Sequence, residues 1–149
     1  MDESGADDTE DSPYGWCARA ERFYAERRGH RTCRISRMAG WCDRQVLAPM
    51  TFQGHCDTGL VETWVERFLV PTLTPGQVVV MDNARFHQSA TIRERIEAAG
   101  CRLLFLPPYS PDLNKIEKFW ARLKRYLRQT LHDFENFWDA VDNAFKAMS

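Results

Sequence analysis

The sequence predicts an α/β fold in which a mixed central sheet is flanked by helices. Three observations carry this reading. Two short apolar runs, Val78-Val79-Val80-Met81 and Arg102-Leu103-Leu104-Phe105-Leu106, are punctuated by Pro75-Gly76 and Pro107-Pro108. Both read as strands buried on both faces. The stretches between and after them place apolar residues at spacings of three and four, the period of a helix packed on one side. Strands that alternate with helices call for parallel neighbours with helices on the sheet faces.

In chain order, residues 4 to 14 combine Gly5, Ser12 and Pro13 with acids and read as an exposed loop. Two β-like runs, 32 to 41 and 46 to 52, flank Asp43-Arg44 and predict an antiparallel hairpin. Asp57-Thr58 caps a helix whose stripe is Leu60, Val61, Trp64, Val65, Phe68 and Leu69, ending before Pro71. After the first buried strand, Ser89 to Ala99 is helical and Gly100 sits at the C-cap. Ser110-Pro111 opens a further helix to about Gln129, with serine at the N-cap and Leu113, Ile116, Trp120, Leu123 and Leu127 as its buried stripe. A last helix from about His132 to Met148 carries Phe134, Phe137, Trp138, Val141 and Phe145. Trp120 and Trp138 are read as packing residues rather than base-stacking platforms.

A chain of 149 residues fits one domain, and no apolar run approaches the roughly 20 residues that span a bilayer. The start, Met1-Asp2-Glu3, lacks the basic and apolar segments of a signal peptide, so a cytoplasmic protein is expected. Five cysteines without a C-x-x-C pair and four scattered histidines indicate neither a disulfide framework nor a zinc site. The net charge of −1 conceals an asymmetry, because residues 1 to 12 hold six acids and no base. From Arg102 to Thr130 seven bases face two acids, and a second basic stretch runs from Arg19 to Arg37. Such clusters suit a polyanion, although a solvated helix face gives the same count.

Two acids stand out by position. Asp82 follows four apolar residues and so ends a central strand, the edge where open α/β sheets place their ligand sites. Glu117 lies four residues after Leu113 and three before Trp120, at the border of a helix's buried stripe. The two could converge on one divalent cation. Equally, Asp82 could cap a turn with Asn83, and Glu117 could pair at the surface with Lys118 or Arg122.

The strings Met81-Asp82-Asn83-Ala84-Arg85-Phe86-His87 and Ser110-Pro111-Asp112-Leu113-Asn114-Lys115-Ile116-Glu117 break that tie. They resemble the D-N-x-x-x-H and S-P-D-L-N-x-I-E motifs of the mariner-like transposase superfamily, including its bacterial insertion-sequence members. Thirty-four residues separate Asp82 from Glu117, a spacing that matches one major branch of that superfamily. Asp2-Glu3-Ser4-Gly5 resembles the string that carries the first catalytic aspartate. Lys115 departs from the usual proline.

The resemblance implies a ribonuclease H-like fold and an Asp2, Asp82, Glu117 triad that is both catalytic and metal-binding. It implies magnesium, replaceable by manganese, in two ions, and a reaction of phosphodiester cleavage and strand transfer on transposon ends and target DNA. Asn83 and His87 would support the triad from behind or simply satisfy the local turn, while Lys118, Arg122, Lys124 and Arg125 would line the DNA backbone. Residues 1–149 would be one catalytic domain, N-terminally truncated, with the strand ahead of Asp2 reduced to Met1 and the helix-turn-helix recognition region absent. A homodimer pairing two DNA ends and a separately encoded helix-turn-helix partner are further expectations. Two other readings stay open: an inactive remnant that binds only DNA or a partner, and a host nuclease of ribonuclease H type.

Overall fold

The computed structural model describes residues 1–7, 34–108 and 110–148. The acidic segment beyond Asp7, most of the basic stretch from Arg19, and Cys17, His30 and Cys33 lie outside these residues. Asp2–Asp7 form strand β1, antiparallel to β2 (Arg34–Cys42), with Asp2 opposite Ala39 and Asp7 opposite Arg34. The expected loop therefore does not begin at residue 4. Small side chains at Ser4, Gly5 and Ala6 suit a crowded ladder: a Cβ on Gly5 would come within 3.0 Å of the Arg34 guanidinium.

β2 returns as β3 (Gln45–Gln53) through Asp43-Arg44, whose φ angles of 48° and 67° are those of a two-residue turn matched to strand twist. The predicted hairpin is present. β4 (Val78–Met81) pairs in parallel with β5 (Arg102–Phe105), Val78 opposite Arg102. The three-stranded and two-stranded sheets meet at the head of β1, where the Met1 nitrogen donates to the Val80 carbonyl at 2.6 Å. The spatial order is thus β3-β2-β1-β4-β5, antiparallel on one side and parallel on the other.

Helix α1 (Thr58–Trp64) is capped by Asp57, whose carboxylate accepts the Leu60 N–H at 2.8 Å, and continues as a π turn over Val65–Leu69. Helix α2 (Ala90–Ala98) is capped by Ser89 and followed by Gly100 at φ 74°, as predicted. These helices cover one sheet face, with Trp64, Val65, Ile92 and Ile96 in one core with Met38, Val79 and Met81. α3 (Ile116–Thr130) and α4 (Phe137–Met148) cover the other, with Phe119, Trp120, Leu123 and Phe145 against Ile35 and Ala39. Burying both faces of β2 explains why Ile35–Cys42 is mostly small and apolar, Arg37 being the buried exception, and why Trp120 packs in the core.

Four expectations need correction. β4 and β5 are not buried on both faces: Val78 and Leu104 are 43% and 54% exposed, because each strand has a core layer on one side only. α3 begins at Ile116, not at Ser110, since Pro111–Leu113 form a separate 3-10 turn and the Ser110 hydroxyl donates to the Pro108 carbonyl instead of capping. Leu113, lying on that turn rather than on the helix, leaves the buried stripe and is 58% exposed. α4 begins at Phe137, after a 3-10 turn at Leu131–Asp133.

Candidate active site

Strand alternation decides which acid at the chain start reaches the cleft. Asp2, Ser4 and Ala6 share the face of β1 that α3 and α4 cover, whereas Glu3 turns to the other side and hydrogen-bonds the Cys56 thiol. Asp2 is only 5% exposed. Its Oδ1 accepts the Glu3 N–H at 2.8 Å and its Oδ2 accepts the Asn114 side-chain amide at 3.0 Å. Burial pushes its carboxyl up to about 7, opposed by the Glu3 N–H and reinforced by the negative charges of Asp82 and Glu117.

Asp82 stands directly after β4, at the carboxyl end predicted for it. Its Oδ1 takes the Ala84 N–H at 3.3 Å and is hydrogen-bonded by Nδ1 of His87. His87 is fully buried on a 3-10 turn, Arg85–His87, so the imidazole has little freedom to leave. That hydrogen bond, stronger than the opposing effect of burial, holds the Asp82 carboxyl below its ordinary range. His87 thus stands behind the acid. Asn83 turns elsewhere: its side-chain oxygen accepts from Gln88 Nε2 at 2.5 Å, which is the local-turn alternative.

Glu117 is the second residue of α3 and is exposed. Its backbone N–H bonds the Asn114 carbonyl at 3.1 Å. Asn114 thus opens α3 with its backbone and holds Asp2 with its side chain, tying together two acids far apart in sequence. The residues around Asn114 assign it no such role, since a contact across 112 positions leaves no local signal. Asp2, Asp82 and Glu117, from three separate elements, line one cleft of about 350 Å³ with Pro107, Pro108 and Asn114. Among the described residues no three acidic, histidine or cysteine side chains close into a tight ion cage.

Of the five basic residues of α3, the four expected to line DNA divide. At roughly 100° per residue, Lys124 lies within roughly 20° of Glu117 on the helix, while Lys118, Arg122 and Arg125 lie roughly 80° to 140° away. Lys124 is half-buried and the other three are exposed. Of these four, Lys124 extends the line of the cleft, and Arg128, also within roughly 20° of Glu117, lies one turn further along the same line.

The sequence profile of the DDE superfamily endonucleases matches residues 1–138. The chain belongs to this superfamily. As a DDE superfamily member it is 30% identical over 90 residues to the Tc1 transposase of Caenorhabditis elegans, covering 55% of this chain and 33% of that protein. In structure it is similar to the Mos1 strand transfer complex, with a TM-score of 0.64 at 14% identity over 99% of this chain and 51% of that one. The catalytic core of BIV integrase aligns with a TM-score of 0.57 at 17% identity over 77% of this chain and 74% of that one. The chain thus spans about a third of the curated relative and about half of the solved Mos1 transposase chain. The fold is the ribonuclease H-like core of transposases and integrases. DDE transposases as a group use divalent metal ions. Among the described residues no helix is long and apolar enough to cross a membrane.

Proposed function

We propose that this DDE domain is the catalytic domain of a DNA transposase, cutting and joining phosphodiester bonds with Asp2, Asp82 and Glu117 as its metal-binding catalytic acids. The observation that carries the reading is their convergence: three carboxylates from a strand head, a strand end and a helix start line one cleft. Oxygen-only donors fit magnesium, with manganese as a substitute, because magnesium keeps several waters and needs only one or two protein carboxylates beside substrate phosphate. The like charges around Asp2 fit a site built for a cation.

When bound, two such ions activate the attacking oxygen and stabilise the leaving one. The chain's own residues prepare that step. Asn114 fixes the orientation of Asp2, and His87 fixes that of Asp82. Lys124, on the Glu117 side of α3, would contact the backbone of a DNA strand entering the cleft, with Lys118, Arg122 and Arg125 adding affinity at the outer face. The reaction on two transposon ends would be carried out by a homodimer, with terminal-repeat recognition supplied by a helix-turn-helix module.

An active domain rather than the inactive alternative is supported by β1, which is paired with β2 along its whole length and so holds Asp2 in place. Magnesium-dependent nicking of DNA by the purified chain tests it. Asp82→Ala and Glu117→Ala should each reduce the rate by on the order of 10²- to 10³-fold, the scale of removing one preorganised electrostatic contact. Undiminished cleavage in either variant would exclude that residue from the site.

A further inference from the structure

Helix α3 carries two basic lines that face in different directions. Measured around the helix from Glu117, Lys124 and Arg128 lie within roughly 20°, while Arg125, Lys118 and Arg122 lie roughly 80°, 100° and 140° away. The buried stripe of Ile116, Phe119, Trp120, Leu123 and Leu127 centres roughly 100° to the other side. The second line therefore points roughly 150° from the core, and all three of its residues are exposed.

Lys118 and Arg122 stand four residues apart and Arg122 and Arg125 three apart, so the line is a run of like-charged neighbours that repel one another. A solvated helix face relieves such repulsion with acids at the same spacings. No acid of α3 stands three or four residues from any of the three, and none of them is ion-paired among the described residues. From Lys118 to Arg125 the helix rises about 10.5 Å, and at one phosphate per roughly 3.4 Å of each strand that matches about three phosphates in a row. A strand held at the cleft does not reach this line. Its phosphate sits where Glu117 faces Asp2 and Asp82, whereas the outer side chains leave α3 at roughly a right angle to that direction, across a helix about 10–12 Å wide.

We propose that Lys118, Arg122 and Arg125 form a second seat for DNA. It holds the sugar-phosphate backbone of a separate duplex, without reading sequence, one helix width from the acids that act on the first strand. Charge complementarity selects this occupant: a row of uncompensated cations at phosphate spacing fits a polyanion, and binding removes the repulsion between them. That the second duplex is the target into which an end is joined rests on the transposase reading; the seat itself rests on the placement of charge alone. Joining brings two DNA segments to one set of acids, and α3 offers a side to each.

Binding of a labelled random-sequence duplex to the whole chain, without metal, tests the seat by fluorescence anisotropy. In a background that disables the cleft line, Lys124→Glu with Arg128→Gln, binding should persist with a slope of about −2.7 in log K against log salt, three phosphates at about −0.9 each. Adding Arg122→Glu and Arg125→Glu should weaken it by about tenfold or more, while Arg122→Lys with Arg125→Lys should preserve it. Loss of binding in the background alone would mean one duplex spanning both lines and would overturn the proposal, as would binding that the outer reversal leaves unchanged. With magnesium, a labelled DNA end and a plasmid, the outer reversal should lower joining about tenfold more than nicking, and equal losses would overturn the assignment to target DNA. A chain that binds as expected but neither nicks nor joins would count against the transposase reading and uphold the seat.

Discussion

Buried at the head of β1 near two other carboxylates, Asp2 keeps its proton up to about 7, against 3.8 in the unfolded chain, and folding stability inherits the difference. Between those values the folded state holds a proton that the unfolded state has shed, so stability falls as pH rises through the window. Asp82 acts in the opposite sense and lower down, because its depressed carboxyl adds stability that is lost only as pH falls below 3.8. Thermal unfolding in chelator should therefore show Tm declining from pH 4 to pH 7, and Asp2→Asn should flatten the decline. Asn114 acts on the same carboxylate through its amide. Asn114→Ala should weaken magnesium binding by about tenfold, the scale of losing a group that orients a metal ligand, measured by calorimetric titration. His87 and Asn114 differ in how they could be found. His87 lies five residues from its partner and within one motif, whereas the Asn114 contact exists only once the fold has closed.

At the scale of elements, the β2–β3 turn places two non-glycine residues in the left-handed region. Aspartate, like asparagine, tolerates that region, whereas Arg44 costs about 1 kcal/mol there relative to glycine. Replacing Asp43-Arg44 by Asn-Gly should stabilise the protein by about 1 kcal/mol in chemical denaturation, since that pair is the one such turns favour. α3 is the element on which core and cleft both depend. Its Leu123 is fully buried between the sheet and α4, so Leu123→Ala should cost about 2–5 kcal/mol. Period and caps make α1 and α2 legible from the residues alone, with Asp57, Ser89 and Gly100 where capping chemistry puts them. The start of α3 is not legible in the same way. Ser110-Pro111 has the local chemistry of a helix start, while the chain spends those residues on a 3-10 turn that leads into Asn114.

For the whole molecule, the basic surface of α3 is divided between Lys124 and Arg128, in line with Glu117, and three residues on the outer face. DNA affinity should fall steeply with salt, as each neutralised phosphate contributes a slope of about −0.9 in log K against log salt. Lys124→Glu should weaken binding more than Lys118→Glu in a fluorescence-anisotropy titration, and equal losses would place the DNA elsewhere. What the chain alone makes readable is local or repeated: the α/β alternation, the hairpin, the Asp82 strand end and the motif strings that point to the DDE superfamily. What only the tertiary structure settles depends on separated segments coming together. These are the pairing of Asp2–Asp7 with Arg34–Cys42, the half-exposed faces of β4 and β5, and the bond from Asn114 to Asp2. The physical reason is that period and capping act over a few residues of chain. Burial, strand register and the meeting of charges act through space, so they are set only when the sheet has formed between its two helical layers.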